Sequence, residues 1–337
     1  MPGLIFNEPN MLPENLIEQT VSRFPRYASG KIRVDELEKG GSDRKYYRIR
    51  VTDEHSLILV RYGESREENR YYCAIAEFLA GLGIHVPEIY HHDEQERLIW
   101  MEDLGETDLW AYRDAGWERL RAYYSLTLDE MAALHLHGCQ ALGETDLKLQ
   151  AEFNEELYTW EQNYFFENCA SRVFGRHEAA GGPDAGALRE IARHLAAKPR
   201  VLVHRDFQSQ NVLLDRGDAW LIDFQGLRPG LPQYDLASLV YDPYMNLGGL
   251  EREELVNAYI AKVLDAGGEI ASDFRETLDL CAMQRLMQAL GAYGFLGLVR
   301  ERRAFLDHIP AALKSLREVL ERIPALAATH KLVCELA

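Results

Sequence analysis

Apolar residues change their spacing once along this chain of 337 residues, and that change limits the folds open to it. Between residues 31 and 103 the pattern is that of strands. The segments are "KIRVDELEKGGSDRKYYRIRV" (31–51), "SLILVRY" (56–62), "PEIYHHD" (87–93) and "RLIWMED" (97–103), rich in β-branched and aromatic residues. One helical stretch interrupts them, "REENRYYCAIAEFLAGLG" (66–83), closed by glycine and by Pro87. A short amphipathic helix over 12–28 precedes them. From 117 onward apolar positions recur three and four apart, predicting helices over 118–138, 152–169, 187–197, 251–265, 272–290 and 311–323. Strand-like pieces break that run only at 201–203, 211–214 and 219–222, and 179–187 (AAGGPDAGA) reads as a flexible loop. The expectation is an α+β molecule, β-rich first and helical afterwards, with its boundary at Glu102–Glu106.

Composition narrows the partners. A net charge of −17 disfavours nucleic acid, whose phosphates need a basic surface. No apolar run approaches the ~18 residues of a membrane span, and the N-terminal MPGLIFNEPN lacks the pattern of a secretion signal. Cysteines stand at 73, 139, 169, 281 and 334, widely spaced and without a CxxC pair. That argues against a disulfide framework or a zinc site and fits a reducing cytoplasm.

The strand-like interruption carries the chemistry. In "VLVHRDFQSQNVLL" (201–214) a carboxylate, Asp206, and an amide, Asn211, lie between two apolar runs, where a tight turn would more often hold glycine or proline. A second acid, Asp223, ends the apolar strand of "AWLIDFQG". The pattern is D-x4-N-x11-D, with a hairpin-sized connection at 215–218 that would bring Asn211 and Asp223 to one mouth. A carboxylate and an amide oxygen are hard ligands of the kind Mg²⁺ takes together with water and phosphate. Asp206 then stands free to orient and deprotonate a hydroxyl.

"HRDFQSQN" and "DFQ" resemble the catalytic and metal-binding loops of the protein-kinase-like phosphotransferases, specifically the aminoglycoside phosphotransferase group, and "PQYDLASLVYDPY" (232–244) matches a further element of that group. The resemblance implies a protein-kinase-like two-lobe fold: a nucleotide-binding lobe at 1–102, a hinge at 103–106 and a helical lobe with the acceptor pocket at 107–337. It implies Asp206 as catalytic base, Asn211 and Asp223 as Mg²⁺ ligands, and His204, Arg205 and Asp235 as braces of the loop, with ATP as phosphate donor.

The N-terminal part departs from the pattern. Gly40, Gly41 and Ser42 suit a phosphate-approaching turn, but the following strand "SLILVRYGE" has no lysine. Arg61 takes the comparable place, with Arg48 as runner-up and Glu68 as its partner acid. "LIWMEDLGE" resembles the hinge that receives adenine through backbone groups at Glu102 and Leu104. Over most of its length the chain is most similar to bacterial kinases that phosphorylate the anomeric hydroxyl of N-acetylmuramate and N-acetylglucosamine in cell-wall recycling. Asp242 and Arg285 are the polar residues expected at the acceptor. The alternatives are an antibiotic-modifying kinase, whose polycationic acceptors the acidity would attract, and a nucleotide-binding protein without turnover.

Overall fold

The computed structural model describes residues 13–27, 32–37, 44–52, 55–63, 67–177 and 181–336, so Gly40, Gly41 and Ser42 lie outside the described residues. The chain divides into two compact units, Met1–Cys73 with Pro87–Asp103, and Ala74–Val86 with Leu104–Ala337. Among the described residues no helix is long and apolar enough to cross a membrane.

In the first unit a helix backs a sheet. Helix α1 (Pro13–Arg23) stops short of the expected residue 28 because Phe24 precedes Pro25, which disfavours helical geometry at Phe24. Strands β1 (Arg33–Leu37), β2 (Lys45–Thr52), β3 (His55–Arg61), β4 (Ile89–Asp93) and β5 (Leu98–Glu102) form one antiparallel sheet in the order β1-β2-β3-β5-β4. Leu57, Leu59, Leu98 and Trp100 share one face with Leu16 of α1, and the Trp100 indole donates to Thr20 Oγ1 at 2.9 Å. Ile58, Val60, Ile99 and Met101 on the other face are buried as well. A central strand buried on both faces reads as an unbroken apolar run, which is how "LILV" looks.

Most of α2 (Tyr72–Gly81) belongs to the second unit, together with α3 (Trp117–Leu142), α4 (Glu155–Phe165) and α5 (Ala185–Ala196). Four short strands follow: β6 (Val201–Val203), β7 (Val212–Asp215), β8 (Asp218–Leu221) and β9 (Arg228–Gly230). Then come α6 (Pro232–Val240), α7 (Gly249–Asp265), α8 (Phe274–Gly294), α9 (Ile309–Leu320) and α10 (Ala327–Leu336). Apolar spacing does not reveal β9 or α10. In β9 the residues Arg-Pro-Gly carry no pattern, and the strand exists only through its pairing with β6. The β7–β8 hairpin turns through Arg216 and Gly217, both at positive φ, as a tight two-residue turn demands.

Helix α8 is buried nearly all round and packs on α4, α6 and α9. The helix expected over 152–169 is α4 followed by a π-helical turn, Phe166–Ser171, and α8 likewise runs into a π-helical turn at Phe295–Val299. These turns accompany a close approach of the two segments. A Cβ on Gly294 would stand 2.1 Å from the Asn168 carbonyl oxygen.

Candidate active site

The site is built in the second unit from β6 outward. After Val203 the chain turns sharply through His204, Arg205 and Asp206, with Arg205 at φ +80°. A non-glycine residue in this region is strained unless its surroundings hold it there. Asp235, in the first turn of α6, does so. Wholly buried, it accepts the backbone N–H groups of His204 at 2.7 Å and Arg205 at 2.8 Å, and lies 3.2 Å from His135 Nε2. The other ring nitrogen of His135 meets the Tyr259 hydroxyl at 2.8 Å, so the brace reaches through α3 to α7. The His204 ring closes the loop from behind, with Nε2 3.0 Å from the Ile222 carbonyl oxygen.

A second aspartate clamps the far end of the loop. Asp242, just beyond α6, accepts the N–H groups of Ser209 at 2.8 Å and Tyr244 at 3.0 Å. Burial pushes its carboxyl above the usual value, opposed by the hydrogen bonds from Ser209. Both its oxygens are thus engaged by backbone, and Asp242, expected at the acceptor, acts in this structure as a loop brace.

Asp206 keeps about a third of its side-chain surface exposed. Burial alone would raise its carboxyl, but the positive fields of Arg205, Arg285, His204 and Arg228 outweigh that and hold it below the usual range. Arg285 places Nη2 3.5 Å from Asp206 Oδ1. The same guanidinium donates to Ser238 Oγ at 2.6 Å and Gln208 Oε1 at 3.1 Å, so α8 and α6 fix its direction. Arg228 arrives from β9, whose register sets it opposite Val203.

Asn211 and Asp223 meet through the β7–β8 ladder. Val212 pairs with Leu221, and one step further the Ile222 N–H donates to the Asn211 carbonyl at 3.0 Å. The Asn211 amide nitrogen is tied to the Asp206 carbonyl at 2.9 Å, which fixes its oxygen as the remaining polar end. Asp223 stands in left-handed geometry, φ +62°, and accepts from Gln225 Nε2 at 3.1 Å. Among the described residues no three His, Cys, Asp or Glu side chains converge as a metal cage. The donor set fits a hard cation held by one carboxylate and one amide oxygen, with phosphate and water completing its shell.

The first unit presents the remaining expected residues. Arg61 ends β3 half-buried, opposite Lys45 and Leu98. Arg48, its runner-up, is buried in a bidentate pair with Asp103, at 2.7 and 3.0 Å. The Glu102 N–H donates to the Glu88 carbonyl at 2.9 Å. Glu68 lies in a 3₁₀ turn, Glu67–Tyr71, and Leu104 is buried at the start of the second unit's longer segment. Three residues of the site escape sequence reasoning: Arg228, Tyr234 and Glu161. Glu161 leaves a trace, as an acid on the apolar stripe that Tyr158 and Phe165 mark on α4.

A profile of the phosphotransferase enzyme family (APH) matches residues 33–270. The N-acetylmuramate/N-acetylglucosamine kinase of Pseudomonas aeruginosa is 25% identical over 314 residues, covering 91% of this chain and 90% of that protein. Among solved structures, a choline/ethanolamine kinase family protein from Mesorhizobium loti superposes with a TM-score of 0.61 at 17% identity, covering 95% of this chain and 98% of the other. The ADP-bound aminoglycoside phosphotransferase APH(2″)-Ib gives 0.54 at 11% identity, covering 91% and 99%. The fold is protein-kinase-like, and with the family profile spanning both units the chain belongs to the phosphotransferase enzyme family.

Proposed function

We propose that this enzyme transfers the γ-phosphoryl group of ATP to the anomeric hydroxyl of N-acetylglucosamine or N-acetylmuramate, giving the sugar 1-phosphate, as a step of cell-wall sugar recycling in the cytoplasm. The observation that carries this reading is Asp206: an ionised, partly exposed carboxylate on a loop that Asp235 and Asp242 hold by three backbone N–H groups. The printed names of the curated relatives supply the acceptor class. The ADP held by one structural relative supports the donor. Five cysteines without a disulfide suit a reducing compartment.

The acceptor's C1 hydroxyl donates to an Asp206 oxygen, which orients the attacking oxygen in line with the γ-phosphorus and takes its proton as the bond forms. An anomeric hydroxyl is more acidic than an ordinary alcohol, so a carboxylate suffices as base. Asn211 Oδ1 and Asp223 would hold Mg²⁺, which supplies neutralisation of charge on the phosphates when bound. Arg61, the backbone at Glu102 and Leu104, and Gly41 and Ser42 are the proposed nucleotide contacts. Arg285, 3.5 Å from Asp206, is the polar residue proposed to meet an acceptor poised on that carboxylate. Residues 1–102 would act as the nucleotide lobe, 103–106 as hinge and 107–337 as acceptor lobe.

Incubation with ATP, Mg²⁺ and either sugar, followed by phosphorus NMR, tests the reaction. The expected product shows a phosphate coupled to the C1 proton. A 6-phosphate, or turnover only with aminoglycosides, defeats the proposal.

A further inference from the structure

Between Cys281 and Gly294 helix α8 is buried at every residue except Gln288 and Ala292, one turn apart on one face. Gln288 is the polar member of this opening, and its direction is fixed. Its side-chain oxygen accepts from Arg285 Nη1, while Nη2 of the same guanidinium lies 3.5 Å from Asp206 Oδ1. A guanidinium only donates, so the end of the amide that meets it has to be the oxygen. The nitrogen Nε2 is left over, and it makes no hydrogen bond among the described residues. Aromatic rings stand on both sides of the open face. Gly291 and Tyr293, the neighbours of Ala292, lie to either side of it on the helix. Against Gly291 rests Tyr164 of α4, so close that a Cβ there would come 2.6 Å from the ring. Tyr164 stacks with Trp160 at 4.7 Å between centroids, and Trp160 keeps 47% of its surface exposed. On the far side Tyr244, two residues past the Asp242 clamp, meets Tyr293 edge-on at 6.1 Å. Apolar rings around a few directed polar groups are the usual make-up of a small-molecule site, and the rings suit the C–H faces of a pyranose.

Resting on the reaction proposed above, we infer that Gln288 is the residue that selects an N-acetylated sugar: its Nε2 donates to the carbonyl oxygen of the C2 acetamido group while the C1 hydroxyl meets Asp206. The spacing suits the acceptor. C1 and C2 are neighbours in the sugar ring, and the carboxylate and the amide stand beside neighbouring nitrogens of one guanidinium. Arg285 is the spacer between them, held by Ser238 Oγ at 2.6 Å and Gln208 Oε1 at 3.1 Å. A hydroxyl at C2 falls short of Nε2, because its oxygen is bonded to C2 itself, whereas the acetamido oxygen lies beyond the nitrogen and the carbonyl carbon. A sugar without the acetyl group leaves the donor unpaired, which is how a site built around a hydrogen bond discriminates. Support of Arg285 uses only the oxygen of Gln288, and selection uses the nitrogen.

The test compares N-acetylglucosamine with glucose, which differ only at C2, using the full chain with ATP and Mg²⁺ as wild type, Gln288→Glu and Gln288→Leu. Glutamate keeps an oxygen for Arg285 and removes the N–H donors. The wild type should favour N-acetylglucosamine in kcat/KM, and both variants should lose that preference by about ten- to a hundred-fold, chiefly through the KM for N-acetylglucosamine. Taking the ratio of the two sugars cancels whatever the new carboxylate does to Asp206. A Gln288→Glu enzyme with the parent's ratio overturns the proposal, because Gln288 then only supports Arg285. A loss confined to the preference for N-acetylmuramate over N-acetylglucosamine also overturns it, and moves the amide to the lactyl carboxylate. Calorimetric titration with the two sugars in the absence of ATP keeps this question apart from turnover. If neither sugar is phosphorylated, the proposed function fails and the titration alone decides. Gln288 keeps its role if N-acetylglucosamine binds more tightly than glucose and Gln288→Glu removes the difference; any other result takes that role away.

Discussion

In the proposed reaction Asp206 has to stay ionised while half-sheltered, and still be basic enough to take a proton. The surrounding arginines secure the first condition at the expense of the second. Asp206→Asn should lower kcat by about 10²–10⁴-fold with little change in the KM for ATP, because the loss falls on the acceptor side. Activity within a few-fold of the parent would remove Asp206 from the mechanism. Arg285→Met tests the electrostatics. A depressed carboxyl is ionised down to low pH, so removing the guanidinium 3.5 Å away should move the acid limb of kcat upward by about one pH unit. An unmoved limb would mean that Arg205 and Arg228 alone fix the carboxyl. The positions proposed for the base and for the metal could be picked out beforehand because D-x4-N-x11-D is a local pattern around one hairpin. Glu161 and Arg228 were not, since what they meet comes from other elements, Tyr234 of α6 for Glu161 and β6 opposite Arg228.

At the scale of elements, α6 works as a bracket. Asp235 in its first turn and Asp242 just past its end stand seven residues apart, about two helical turns, and take hold of the two ends of the loop that carries Asp206. The long helices were legible from their period, and so were β3 and β5 from their apolar runs. The π-helical turns at Phe166–Ser171 and Phe295–Val299 were not, because they arise from the fit of α4 onto α8 and carry no spacing of their own. Gly294 tests that fit. In a helix, Gly→Ala ordinarily gains about 1 kcal/mol from propensity. Here the new Cβ would meet the Asn168 carbonyl oxygen at 2.1 Å, a backbone atom that cannot step aside without moving the turn. Gly294→Ala should therefore destabilise the protein by about 2–3 kcal/mol in urea unfolding. A variant as stable as the parent would show that the two segments are not held this closely.

For the whole molecule, the proposed reaction draws on residues of both units: Arg61 on the sheet of the first, and Asp206, Asn211 and Asp223 in the second. Nucleotide binding is where they can be tested together, through its linkage to unfolding. A ligand that binds only the folded chain adds about 2.7 kcal/mol at a hundred times its Kd, which for a protein of this size raises Tm by several degrees. Mg²⁺ with ATP should give that shift in the wild type. ATP with EDTA should give less, since the phosphates then lack the cation that Asn211 and Asp223 would share with them. Asp223→Ala should show the smaller shift whether or not Mg²⁺ is present, while keeping its own unliganded Tm close to the parent's. The substitution removes the acceptor of the Gln225 hydrogen bond at 3.1 Å and leaves at φ +62° a residue that tolerates left-handed geometry slightly less well than aspartate. Arg61→Ala should reduce the shift in both conditions, because a guanidinium on the phosphates acts with or without the metal. Equal shifts for the wild type with Mg²⁺ and with EDTA would take Asp223 and Asn211 out of metal binding. A full shift in Arg61→Ala would move the phosphate contact away from β3.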